Sequence, residues 1–166
     1  MTKGRGLGRQ VVAALWLPVA AAAGQAPAPQ LPLVVLPDTV AVCRFPADGP
    51  IPAWALGPQP FLTISRTRTE LSITAPQALV AGREGCERGY RPVKVQGPLP
   101  LDLVGIVAAL AEPLARNGIS LFAISTYETD YVLVKDADLP RARRAWQAAG
   151  HTVLEQVETP ARAPGR

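Results

Sequence analysis

The chain has 166 residues, 48% of them hydrophobic and 5% aromatic, so it can bury a core built on Leu, Val, Ile and Ala, and wholesale disorder is excluded. The net charge of +4 does not mark a nucleic-acid binder: Lys3, Arg5, Arg9, Arg162 and Arg166 lie at the two ends, and residues 31–161 carry 12 basic against 13 acidic side chains.

Residues 1–30 stand apart from the rest. Lys3, Arg5 and Arg9 precede an apolar run from Val11 to Ala23, and a Pro/Ala-rich stretch, Ala26-Pro27-Ala28-Pro29, follows. This order reads as a secretory signal with Ala21-Ala22-Ala23 as its cleavage box, or as an extension that takes no part in the fold. The apolar run is shorter than the roughly 20 residues a spanning helix needs. Pro18 interrupts it as well, so no stable membrane span is expected.

Proline and glycine punctuate residues 31–89 into short pieces. Leu33–Leu36 and Val40–Phe45 read as strands joined at Pro37-Asp38. A loop with one helical turn around Trp54 follows. Phe61–Arg66 and Glu70–Ala75 alternate apolar and polar residues and form a hairpin across Thr67-Arg68-Thr69. Pro76–Val80 is a short helix and Ala81–Gly89 a loop.

Residues 90–158 carry clearer periodicity. Arg91–Val95 is a strand. Asp102 caps a helix with Leu103, Ile106, Val107, Leu110 and Leu114 on one face, which Pro113 should weaken or kink near its end. Gly118 stands where a left-handed C-terminal residue belongs. Ile119–Ser125 and Asp130–Lys135 are the next strands, turning at Tyr127-Glu128-Thr129. Asp138 caps a second helix with Pro140 in its first turn and Leu139, Ala142, Trp146 and Ala149 facing inward. Gly150 ends it, and His151–Val157 is the last strand. Residues 159–166 are a tail.

Strand, helix, strand, strand, helix, strand is the order of two interlocked right-handed βαβ units, with one antiparallel sheet and both helices on one face. The first half reads as a weaker version of the same plan. The fold class expected is therefore α+β, with two tandem ferredoxin-like βαββαβ modules over residues 31–89 and 90–158.

The chemistry of catalysis is not visible. There is no nucleophile–base pair, metal-ligand cluster or phosphate loop, and no cofactor is expected. Cys43 alternates with Ala41 and Phe45 as a buried strand residue, whereas Cys86 sits in a polar Gly-rich loop. A disulfide between them is open but not required. His151, the single histidine, is expected at the surface. Arg141, Arg143 and Arg144 read as a solvated helix face.

The segment Leu121–Lys135 (LFAISTYETDYVLVK) strongly resembles the second-strand hairpin of CASTOR-type ACT domains. Leu101–Val107 (LDLVGIV) and Glu112–Ala115 (EPLA) fit the same family at the right spacing, and Phe61–Ile73 (FLTISRTRTELSI) resembles the hairpin of the preceding ACT-like module. The resemblance covers residues 32–157. It implies two tandem ACT-type modules and a non-catalytic protein that senses a small molecule, in that family an amino acid held where two modules of the second-half type meet. The alternative it leaves is an interaction or structural module without a ligand. Because this chain has one second-half module, the resemblance implies a homodimer with Ser120–Phe122 at a two-fold interface. It also implies a cytoplasmic protein, whereas residues 1–23 point to export.

By motif match the ligand contacts are Leu103, Val104 and Gly105 at the helix start, Ser120 and Leu121 before the second strand, and Thr126, Tyr127, Thr129 and Asp130 on the hairpin. Gly105 lets a carboxylate approach free N–H groups at a helix start. Asp130 can take an ammonium group, Thr126 and Thr129 offer hydroxyls, and Tyr127 an aromatic wall. Read from the residues alone, the same stretch is a polar hairpin turn capped by Asp130; the resemblance is what favours a site. The arginine sensors of the family carry an acid where this chain has Leu103. The ligand expected here is therefore an amino acid other than arginine, neutral or apolar.

Overall fold

The computed structural model describes residues 28–156. The strands are β1 (Pro32–Val35), β2 (Val40–Phe45), β3 (Thr63–Arg66), β4 (Leu71–Pro76), β5 (Cys86–Val95), β6 (Phe122–Ser125), β7 (Asp130–Lys135) and β8 (Thr152–Glu155). Two helices, α1 (Ile106–Arg116) and α2 (Leu139–Ala148), both lie in the second half. The first half has only short 3-10 turns at Ala53–Ala55 and Gln77–Val80. The export-like segment, its cleavage box and the C-terminal tail lie outside the described residues, as does the end of the last expected strand at Val157. No helix among the described residues is long and apolar enough to cross a membrane.

All eight strands join one predominantly antiparallel sheet, as the α+β reading requires. Its spine is β5, which is five residues longer at its start than the sequence suggests. Strand β2 pairs with β5 through Cys43↔Cys86 and Val40↔Tyr90. Strand β1 continues along the same edge through Val35↔Val93 and Leu33↔Val95. The break between them at Pro37-Asp38 turns the chain without leaving β5. On the other edge, Tyr90–Lys94 pairs with β7, and β7 with β6.

The interlocked order of the second half therefore contains an insertion. Strand β8 runs parallel to β1, not beside β5, and β1 lies between them. Leu33 and Val35 of β1 are each 1% exposed and belong to the same core as α1 and α2. That core packs Ile106, Ala109, Leu110 and Leu114 of α1 against Ala142, Ala145 and Trp146 of α2. The Trp146 ring is fully buried, worth about 3 kcal/mol in apolar transfer, and its Nε1–H donates to the Leu110 carbonyl over 2.9 Å.

Four local expectations are corrected. Asp102 does not cap α1. Gly105 does, in a left-handed conformation (φ 87°), so Leu103 precedes the helix and is exposed, and Val107 faces outward. Asp138 makes no capping bond because its carboxylate pairs with Arg141. Ala149, expected on the inner face of the second helix, lies beyond α2 and is exposed, and Ala145 is buried in its place. His151 is buried, not at the surface: its Nδ1 accepts from the Leu31 N–H at 3.1 Å, and its Nε2 meets the Ala109 carbonyl at 3.1 Å.

The open question of the cysteines resolves as a Cys43–Cys86 disulfide, bridging facing positions of β2 and β5. Proline 113 sits inside α1, which nevertheless runs on to Arg116 and closes through Gly118 at φ 63°. Arg141 and Arg143 bind Asp138, the Asn117 carbonyl and Glu155 rather than presenting a free basic patch.

Candidate functional site

Three pieces of backbone meet at the C-terminal end of β5: the loop from Gln96 to Gly105, the first turn of α1, and the β6–β7 hairpin turn. The loop is tied to the turn by one bond, from the Leu99 N–H to the Glu128 carbonyl at 2.8 Å. Close approach makes this possible. A Cβ on Gly97 would lie 2.9 Å from that carbonyl oxygen and 3.2 Å from the Thr129 Cβ.

The turn is held from within. Thr126 donates through both its N–H (2.9 Å) and its hydroxyl (2.8 Å) to the Thr129 carbonyl, closing a side-chain-supported turn. Thr129 is buried, and its hydroxyl donates to the Val95 carbonyl at the end of β5 over 2.6 Å. This bond satisfies a carbonyl that β5 would otherwise leave unpaired as it exits the sheet.

Between loop, helix and turn lies a cleft of about 420 Å³. One side is the start of α1. Gly105 has its left-handed φ there, and a Cβ at that position would meet nothing within 4 Å. No side chain caps the helix, and its first turn contains no acid. The N–H groups that open a helix lack intrahelical partners and carry partial positive charge, so this wall suits a carboxylate. Asp130 also lines the cleft and accepts a hydrogen bond from the Ser125 hydroxyl across the hairpin. Leu99, Leu101, Leu103 and Tyr127 add apolar lining.

Of the residues singled out from sequence, the structure brings Leu103, Gly105, Thr126, Tyr127, Thr129 and Asp130 to this one cleft. Val104 lies beside it but points to solvent at 89% exposure. Ser120 and Leu121 do not line it: Ser120 is exposed, and Leu121 packs against the core. Sequence reasoning missed Ser125, Leu99 and Leu101. Ser125 was legible as the cross-strand partner of Asp130 once the hairpin register is set. The two leucines were not, because they reach the cleft through a loop with no periodic pattern.

A sheet with two helices on one face, and a cleft where the first helix starts beside the central hairpin, is the arrangement of an ACT-type module. Residues 85–147 match the ACT domain family, and residues 38–81 match a family defined by an N-terminal domain. Over 41 residues the chain is 44% identical to the human protein CASTOR3P, a stretch equal to 25% of each chain, so only a quarter of that relative is spanned. A solved protein from Agobacterium tumefaciens is 34% identical, with a TM-score of 0.73 over 81% of this chain and 100% of that one. Aspartate kinase from Synechocystis shares the fold at 20% identity and a TM-score of 0.55, over 81% of this chain and 29% of the kinase. The chain therefore contains an ACT domain over residues 85–147 and is similar to a CASTOR protein over part of its length.

Proposed function

We propose that this protein is a non-catalytic sensor that binds a free amino acid in the cleft between α1 and the β6–β7 hairpin, and that it acts as a homodimer. One observation carries the reading. The start of α1, which no side chain caps and a left-handed glycine opens, and Asp130 line one cleft. An amino acid presents a carboxylate and an ammonium on adjacent atoms, and the two walls offer the opposite partial and full charges. The charge-assisted bonds that result fix the common part of any α-amino acid and leave its side chain to the apolar lining.

Dimerisation follows from the same corner of the fold. Strand β6 pairs only with β7, so its outer edge is unpaired among the described residues, and Ser120–Phe122 lead into it. Phe122 is 38% exposed. A two-fold pairing of β6 edges satisfies those backbone groups and brings a second cleft alongside through Ser125.

A thermal-shift screen of the twenty amino acids tests the binding. At a hundredfold excess over Kd, a ligand should raise Tm by roughly 5 °C or more. The N-acetyl amide of the same compound, which has neither charge, should raise it not at all. Equal shifts with the blocked form would overturn zwitterion recognition. Light scattering at micromolar concentration that returns a monomer with and without ligand would overturn the dimer.

A further inference from the structure

We propose that the side-chain wall of this cleft selects an aliphatic or aromatic α-amino acid, a deeper claim that rests on the amino-acid reading above. Besides the start of α1 and Asp130, the cleft is lined by Leu99, Leu101, Leu103 and Tyr127. Three of these are large apolar side chains standing in water: Leu101 is 73% exposed, Leu103 48% and Tyr127 81%. Apolar side chains in such numbers around a concave site are the surface a hydrophobic ligand covers. No lysine, arginine or histidine lines the cleft, so nothing there neutralises an acidic side chain. Its two acids are Asp130 and Glu128. Asp130 faces the α-ammonium, and Glu128 is exposed at the tip of the turn, where a cation would stay in water and gain little. A charged side chain laid against the leucines would lose hydration without a partner, whereas an alkyl or phenyl group would lose none that it needs.

Leu103 is the residue this assigns to specificity. It lies two residues ahead of the Gly105 cap, half-exposed, and its N–H closes a turn on the Pro100 carbonyl at 3.2 Å, so its side chain can be exchanged without disturbing the core.

Isothermal titration of the full chain with glycine, alanine, valine, leucine, phenylalanine, glutamate and arginine tests the class. Affinity should rise along the apolar series, with leucine or phenylalanine at least about tenfold tighter than alanine, the scale set by added methylenes in an apolar pocket. Glutamate and arginine should bind at least about tenfold more weakly than leucine. Leu103→Asp should lower leucine affinity by a similar factor while leaving Tm of the free protein unchanged. If arginine or glutamate binds more tightly than leucine, the side-chain class is wrong and the sensor reading stands. If Leu103→Asp leaves leucine affinity unaltered, Leu103 has no part in selection. If none of the amino acids binds, both proposals fall.

Discussion

His151 gives the Ala109 carbonyl the hydrogen bond that Pro113 withholds. In an α-helix the carbonyl of residue 109 accepts from the N–H of residue 113, and proline has none. The Nε2 of His151 takes that place at 3.1 Å, and its Nδ1 accepts from the Leu31 N–H, which identifies the neutral ring with its proton on Nε2. A single buried side chain thus mends α1 and anchors the chain as it enters β1.

Replacing His151 with Leu leaves both backbone groups buried and unpaired. The expected loss is about 2–6 kcal/mol, since each of the two orphaned groups costs about 1–3 kcal/mol. Pro113→Ala restores an N–H four residues after Ala109 and should rescue part of that loss. A double-mutant cycle by urea denaturation should therefore show coupling of about 1 kcal/mol or more between the two positions. Strict additivity would mean that the ring and the proline act independently.

The cleft depends on a residue that does not line it. Because a Cβ on Gly97 would stand 2.9 Å from the Glu128 carbonyl, Gly97→Ala must push the loop and the hairpin turn apart. Overpacking of this kind costs about 1–3 kcal/mol. It should also stretch the Leu99–Glu128 bond that sets the width of the cleft. The expected result is a lower Tm together with at least about a tenfold loss of amino-acid affinity. A variant with the lower Tm and intact affinity would show that the cleft tolerates the displacement.

Thr129 separates a structural role from a binding one. Its hydroxyl is buried and engaged by the Val95 carbonyl, so it is not available to a ligand. Thr129→Val should cost about 1–2 kcal/mol in stability, the penalty of an unmet carbonyl, whereas Thr129→Ser should recover most of it. Titration of Thr129→Ser with the ligand should give the affinity of the unmodified chain. A large loss there would put the threonine methyl group in the binding surface.

The sequence made most elements legible because their signals are local. Alternation marked β2, β3 and β4, and Gly118 and Gly150 marked helix ends, both at positive φ. The misread elements are those whose structure is decided at a distance. Strand β5 begins at Cys86 because β2 pairs with it there, although Cys86–Gly89 is polar and ends in a left-handed glycine. His151 looked like a surface residue because nothing local shows that Pro113, far away in the chain, leaves a carbonyl for it. The helix start was misplaced for a different reason. Asp102 is a good cap by type, but the left-handed turn at Gly105 delays the helix by three residues and so opens the cleft. Five of the six expected residues that reach the cleft lie on that glycine or on the hairpin, where spacing alone keeps neighbours together.

The Cys43–Cys86 disulfide closes a loop with a sequence separation of 43 and ties β2 to β5, the spine of the sheet. Chain-entropy arguments put the stabilisation from a loop of this size at about 4 kcal/mol. Cys43 is 1% exposed, so a reductant should act slowly on the native chain and quickly once it is unfolded. Urea curves with and without dithiothreitol should differ in midpoint by an amount matching several kcal/mol. The Cys43→Ala/Cys86→Ala pair should behave like the reduced protein. Coincident curves would show that the bridge is dispensable.

The position of β1 makes the second half dependent on residues far upstream of it. Pro32–Val35 lies between β5 and β8, hydrogen-bonded on both sides, and Leu33 and Val35 fill the core under α1 and α2. Without β1, strand β8 has no neighbour in the sheet, because its pairing is with β1 alone. A fragment of residues 90–158 contains every element of the expected βαββαβ order and should still fail to fold. The whole chain is the folded reference for that fragment. Within the intact protein, Leu33→Ala should cost about 2–5 kcal/mol, the range for truncating a fully buried leucine. Near-ultraviolet circular dichroism of the fragment and the whole chain makes the comparison directly. A native-like signal from residues 90–158 would mean that β8 can move beside β5 and close the module without the inserted strand.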